Sequence, residues 1–264
     1  MTIQDATLPT GSETSEPRKG IWGPWATAGF GAIIGLAVIA AQIIAIIAYA
    51  AVKAISNRPA DFFEFLFSLS PDGLLISITG IFSAAVGLTL IALFIKLRRG
   101  YSIREYLGFG LPSKKLIPGL IALAGVFTLI SEWLSYIPGR TEPEFIELLL
   151  TAYNTSVWPI LFWLNIVVFA PALEEAFFRG FIFAGFRRSR IGVAGTIIIT
   201  SLVWTLLHLW QYDIYDLGSL FAFGIVVGVI REKTNSIWGA FIPHSINNFV
   251  AMVLLTLTFN NPSG

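Results

Sequence analysis

The chain has 264 residues, 55% of them hydrophobic and only 12% charged, with a formal net charge of +1 and no cysteine. Soluble domains carry about 25% charged residues, so a chain with a mean hydropathy of +0.76 cannot cover itself in water. The charge balance also excludes a nucleic-acid binder that works through a basic surface, and the absent cysteine excludes disulfides, thiolate nucleophiles and Cys-ligated metals.

The composition predicts an all-α polytopic membrane protein, and the chain divides accordingly. Residues 1–20 are polar and mixed in charge, lack the basic-then-apolar order of a signal peptide, and read as a disordered cytoplasmic tail. Seven apolar stretches follow, at roughly 23–52, 74–96, 116–137, 157–186, 191–210, 215–230 and 235–259, each read as a helix that crosses ~30 Å of hydrocarbon. The fourth contains Pro171, and a break there would raise the count to eight. Two shorter apolar pieces with interleaved acids, at about 60–70 and 143–153, have the pattern of interfacial helices.

The basic residues test this parse. With seven spans and a cytoplasmic N-terminus, thirteen of the 17 lysines and arginines fall on the inner side, Arg98, Arg104, Arg187 and Arg231 among them. Lys53, Arg58 and Arg140 fall outside, where acids such as Asp61, Asp72, Glu142 and Asp213 gather. That asymmetry obeys the positive-inside rule. The expected location is the cell membrane, multi-pass, with the N-terminus cytoplasmic. One basic residue, Arg179, remains inside a span.

Ionisable side chains in a span are costly and mark function by default. This chain keeps Glu174, Glu175 and Arg179 in the fourth segment, His208 in the fifth and His244 in the seventh, with Glu132 near the outer end of the third. His208 and His244 are the protein's two histidines. Glu175 and Arg179 stand four residues apart and share a helix face, whereas Glu174 is turned about 100° away and stays available. Trp204 precedes His208 by one turn, and His244 shares a face with Asn248, with Asn247 beside it. Each group has a plain structural alternative: a packing salt bridge, a histidine satisfied by a carbonyl, interhelical polar glue. Counted from the inner turns, Glu174 and His208 reach similar depths, but His244 falls about 10 Å short at 1.5 Å per residue. Either the seventh span starts deeper, or His244 serves another part of the site.

These three motifs resemble those of the CAAX-protease and bacteriocin-processing (CPBP) family of intramembrane proteases, the type II CAAX prenyl endopeptidases. That family is marked by Glu-Glu-x-x-x-Arg, Phe-x-x-x-His and His-x-x-x-Asn on separate membrane helices. Here they are Glu174, Glu175 and Arg179; Trp204 and His208; and His244 and Asn248. The resemblance covers about residues 157–256, with Trp204 in place of the usual Phe, a change expected to affect packing rather than chemistry. It implies peptide-bond hydrolysis by an activated water, with Glu174 as general base, His208 sharing the water, His244 and Asn248 donating to the oxyanion, and Glu175 and Arg179 shaping the site. Glu174, His208 and His244 are also a conceivable zinc set with an open position; direct water activation without metal is the preferred reading. The implied partners are membrane lipids and a membrane-tethered, CAAX-like peptide or protein, and no nucleic acid.

The resulting organisation is a tail over 1–20, transmembrane and interfacial helices over 21–155, and a catalytic core over 156–264. Two other functions keep the same features: a non-enzymatic immunity or scaffold protein of this fold, and a proton-coupled transporter, since intramembrane Glu and His also mark ion pathways.

Overall fold

The computed structural model describes residues 20–98, 100–137 and 144–260. Residues 1–19 of the expected N-terminal tail, Arg140 and Glu142 lie outside the described residues. The described chain is helical, as the composition predicts. Helix α1 (Pro24–Asn57) opens on a proline in its first turn and closes on Arg58 in the left-handed conformation. The missing N–H of a first-turn proline is no loss there. Helix α2 (Phe62–Ser68) and helix α3 (Gly73–Leu97) each start at an aspartate, Asp61 and Asp72, whose carboxylate accepts two free backbone N–H groups of the first turn. Helix α4 (Ile103–Leu107) has a capping box between Ser102 and Glu105 and ends at Gly108, φ 72°.

Helix α5 (Ile117–Ser135) follows a single 3-10 turn, and the amphipathic α6 (Glu144–Thr155) follows in the described chain. The predicted interfacial pieces thus appear as α2 and α6. Helix α7 (Pro159–Phe186) runs unbroken through Pro171, with π-helical stretches at Asn165–Phe169 and Ala176–Ile182. After it come α8 (Gly192–Leu206), α9 (Ile214–Thr234) and α10 (Trp238–Asn260). Among the described residues, six helices are long and apolar enough to cross a membrane: α1, α3, α5, α7, α9 and α10. The predicted fifth span is shorter than expected. Its 15 residues measure about 22 Å at 1.5 Å per residue.

Helix α1 packs along α3, α8 along α9, and α10 along α5, with α7 against α3, α8 and α10. Large apolar side chains, such as Leu36, Ile44, Leu129 and Ile198, cover the outer faces, as a lipid-facing surface requires. One end of the bundle gathers the basic segments. There Trp22 Nε1 donates to the Phe94 carbonyl, Arg98 Nε to the Gly20 carbonyl, and Arg187 Nη2 meets Glu232 Oε1 at 2.9 Å. Arg231, 2% exposed, donates to the carbonyls of Arg179 (2.9 Å) and Leu107 (3.2 Å) and to Asn235 Oδ1. The opposite end holds Asp72 with Tyr49 and Lys53, Thr155 against the Pro71 carbonyl, and Phe145 against Trp210 and Tyr212.

Candidate active site

The structure brings Glu174, Glu175, Arg179, Trp204 and His244 together where α7, α8 and α10 meet, with His208 joined to them through Trp204 and Asn248 bound to the α7 backbone. Pro171 explains how two of these helices join. It lacks an N–H, and the turn before it is π-helical, with the Ala170 N–H on the Asn165 carbonyl five residues back. In that register the Ile166 carbonyl has no ladder donor. Asn248 Nδ2 donates to it from α10 at 3.0 Å, and Ser245 Oγ donates to the neighbouring Val167 carbonyl at 2.6 Å. Neighbouring helices commonly satisfy carbonyls freed by proline in this way. Asn247, on the next face, accepts from Thr128 Oγ1 of α5 at 3.0 Å.

That docking brings His244 onto the two glutamates of α7. His244 Nδ1 lies 2.8 Å from Glu175 Oε1, and its Nε2 lies 3.9 Å from Glu174 Oε2. The same Glu175 oxygen accepts Arg179 Nη1 at 3.2 Å, the i, i+4 pairing that the spacing predicts. Both members of this ion pair are buried, at 0% and 1% exposure, so each depends on the other. Arg179 Nη2 also donates to the Gly224 carbonyl at 3.4 Å, and its guanidinium lies 4.7 Å from the Trp204 ring centroid. Position 224 is tightly packed: a Cβ there would come to 3.0 Å from Ser201 and 3.2 Å from Arg179 Nη2.

Trp204 does more than pack. Its indole Nε1 donates to Glu174 Oε2 at 2.5 Å, and its carbonyl lies 2.8 Å from His208 Nδ1. A carbonyl only accepts, so the His208 proton belongs on Nδ1 and Nε2 keeps its lone pair. One residue therefore holds both the acid and the histidine. Glu174 remains partly open, at 26% side-chain exposure against 1% for Glu175. The offset of about one-quarter turn between adjacent residues thus divides the labour as the spacing predicts: Glu175 inward, Glu174 toward the opening.

The depth mismatch of His244 also resolves. The turn before α10 is sunk into the basic end, with Ser236 and Ile237 buried. Ser236 Oγ donates to the Gly110 carbonyl, and the Ile237 N–H to the Gly108 carbonyl. The segment after α4 covers this turn, and Arg231 just before it donates to the Arg179 carbonyl, which sets the start of α10 beside the glutamate-bearing part of α7.

No group of three or more His, Cys, Asp or Glu side chains capable of holding a metal ion is found among the described residues. Glu174, His208 and His244 are thus not gathered into such a group in this arrangement.

A multi-helix membrane protein with a buried glutamate–histidine centre is the class that this fold and site define. Residues 156–250 match the model of the type II CAAX prenyl endopeptidase Rce1-like family. No curated protein and no solved structure matches the chain. The matched segment contains Glu174, Glu175, Arg179, Trp204, His208, His244 and Asn248. The domain match and the buried His244–Glu175 contact together support a protease-like enzyme acting within the membrane.

Sequence reasoning missed Tyr212, which stacks on His208 with ring centroids 6.1 Å apart, as well as Ser245 and Arg231. The four-residue spacing of Tyr212 from His208 was a usable signal.

Proposed function

We propose that this chain is an intramembrane endopeptidase that hydrolyses a peptide bond of a membrane-tethered, CAAX-like peptide or protein. The observation that carries the reading is the opening between Glu174 Oε2 and His244 Nε2. At 3.9 Å it is too long for a direct hydrogen bond and suits a bridging oxygen. In the proposed reaction Glu174 takes a proton from water as its oxygen attacks the carbonyl carbon, and His208 Nε2 holds the second water proton. The tetrahedral oxyanion receives a hydrogen bond from His244 Nε2–H. Because Nδ1 donates to Glu175, that bond requires a proton on both ring nitrogens. The second amide proton of Asn248 is the other oxyanion donor. The C–N bond then breaks, and Glu174 returns its proton to the leaving amine. Glu175 and Arg179 keep His244 and Trp204 in place.

The topology belongs to the same proposal. Arg187, just after α7, pairs with Glu232 near the end of α9, which supports a chain that crosses through α8 despite its length, giving seven spans. The basic end is then cytoplasmic together with the N-terminus, in the cell membrane. We read 1–20 as a tail, 21–155 as the N-terminal helices, and 156–264 as the catalytic core.

The test is cleavage of membrane-tethered peptides by the purified protein in liposomes. Wild type cleaves and Glu174→Ala does not; equal cleavage by both overturns the reading.

A further inference from the structure

His208 stands just beyond the end of its helix. Helix α8 ends at Leu206, and the His208 N–H bonds to the Thr205 carbonyl at 2.9 Å in the turn that follows. The ring on such a turn is held by what touches it. Two contacts come from Trp204: the carbonyl at Nδ1, and the indole edge-on with centroids 5.3 Å apart. The third comes from across the turn. The Tyr212 ring stacks on His208 with an interplanar angle of 25°, and its N–H reaches the His208 carbonyl at 3.3 Å.

Tyr212 is itself braced. Phe145, at the start of α6, meets the Tyr212 ring edge-on at 5.7 Å and Trp210 at 5.8 Å. Asp213 caps α9 through the N–H groups of Tyr215 and Asp216, which fixes where the turn ends. Burial, and then the Asp216 and Glu174 carboxylates, push the Tyr212 phenol up to about 12. It is therefore neutral at physiological pH and adds no charge beside Glu174.

We propose that Tyr212, braced from α6 by Phe145, is a positioning residue that holds the His208 imidazole flat in its working orientation. The proposal deepens the protease reading, since it rests on His208 handling the attacking water. Phe145 lies outside the family-matched segment 156–250, so the brace joins the N-terminal helices to the core.

The chain's two histidines make the test direct. The full-length protein is labelled with 15N-histidine, and both imidazole signals are followed alongside cleavage. In Tyr212→Leu the His208 signal moves while the His244 signal stays, and kcat falls about 10-fold at little-changed KM, as misplacement of a reacting group predicts. Tyr212→Phe keeps the flat ring and restores both readouts, and Phe145→Leu shifts them part of the way. If Tyr212→Leu does not fold, Tyr212→Met carries the same comparison. An unmoved His208 signal with unchanged kcat overturns the proposal. So does a Tyr212→Phe variant as impaired as Tyr212→Leu, because the hydroxyl would then be the active part. A wild type that cleaves nothing, while the His208 signal still moves in Tyr212→Leu, overturns the protease reading and upholds the brace.

Discussion

His244 and Glu175 meet at 2.8 Å through Nδ1 and Oε1, on the same carboxylate oxygen that receives Arg179. Removing this acid leaves a guanidinium buried without its counter-charge. Glu175→Ala is expected to destabilise the fold by about 3–5 kcal/mol, the cost of breaking a buried ion pair. Glu174→Ala leaves the buried Trp204 indole N–H without its acceptor and is expected to cost about 1–3 kcal/mol, less than Glu175→Ala. Unfolding titrations in detergent, followed by tryptophan fluorescence, compare the two. Equal losses would contradict the division between an inward and an available glutamate.

Catalysis should divide the opposite way. Glu174→Gln keeps the shape and removes the base, and its cleavage rate is expected to fall by 10²–10⁴, about the worth of general base catalysis. Single-turnover rates on the folded variant measure this.

Trp204→Phe restores the residue usual in the resembled family and separates ring from donor. The phenyl ring can still lie under Arg179, but the N–H that bonds Glu174 at 2.5 Å is gone. A hydrogen bond to a charged group contributes about 1.5–3 kcal/mol, so a drop of at least about 10-fold in kcat/KM is expected. Undiminished cleavage would return Trp204 to a packing role.

The junction of α3 and α7 offers a test away from the chemistry. A Cβ on Gly80 would run into the Asn165 amide, whose Nδ2 donates to the Ile76 carbonyl at 3.2 Å. Gly80→Ala is expected to cost about 1–3 kcal/mol by overpacking, read as a lowered Tm in detergent. An unchanged Tm would show that the two helices separate freely.

Alkali should weaken the protein in a defined window. Burial pushes the phenols of Tyr106 and Tyr212 up to about 12, against 10 for an unstrained tyrosine. The folded state therefore holds these protons longer than the unfolded state. Their contribution is fully present below pH 10 and is lost as the pH rises toward 12. Tyr106→Phe should flatten the decline in Tm above pH 10, and an identical decline would show that other groups cause it.

The sequence made the charge-bearing parts of this molecule legible, because few ionisable residues survive in apolar segments and their spacing sets their helix face. Glu175 and Arg179 pair as the i, i+4 rule requires, and Glu174 points elsewhere. Three things were not legible. The span count depended on α8, whose predicted segment of 191–210 includes Leu207–Trp210, which form a turn rather than helix. Hydrophobicity alone does not distinguish the two. The depth of His244 depended on the segment after α4 covering the turn at Ser236 and Ile237, a contact between residues more than a hundred apart in sequence. The indole N–H of Trp204 is invisible to a motif, which records residue types and not the atom each one offers.

Pro171 gives α7 a role that a regular helix could not fill. The carbonyls of Ile166 and Val167 act as a pair of sockets, and Asn248 and Ser245 are the pins that fit them. The pins stand three residues apart on α10, with His244 next to one of them. Sliding α10 by a single turn would empty both sockets within the hydrocarbon. The position of the histidine is thus indexed by the backbone of the helix that carries the glutamates, much as a tooth is set by the notch of a ratchet.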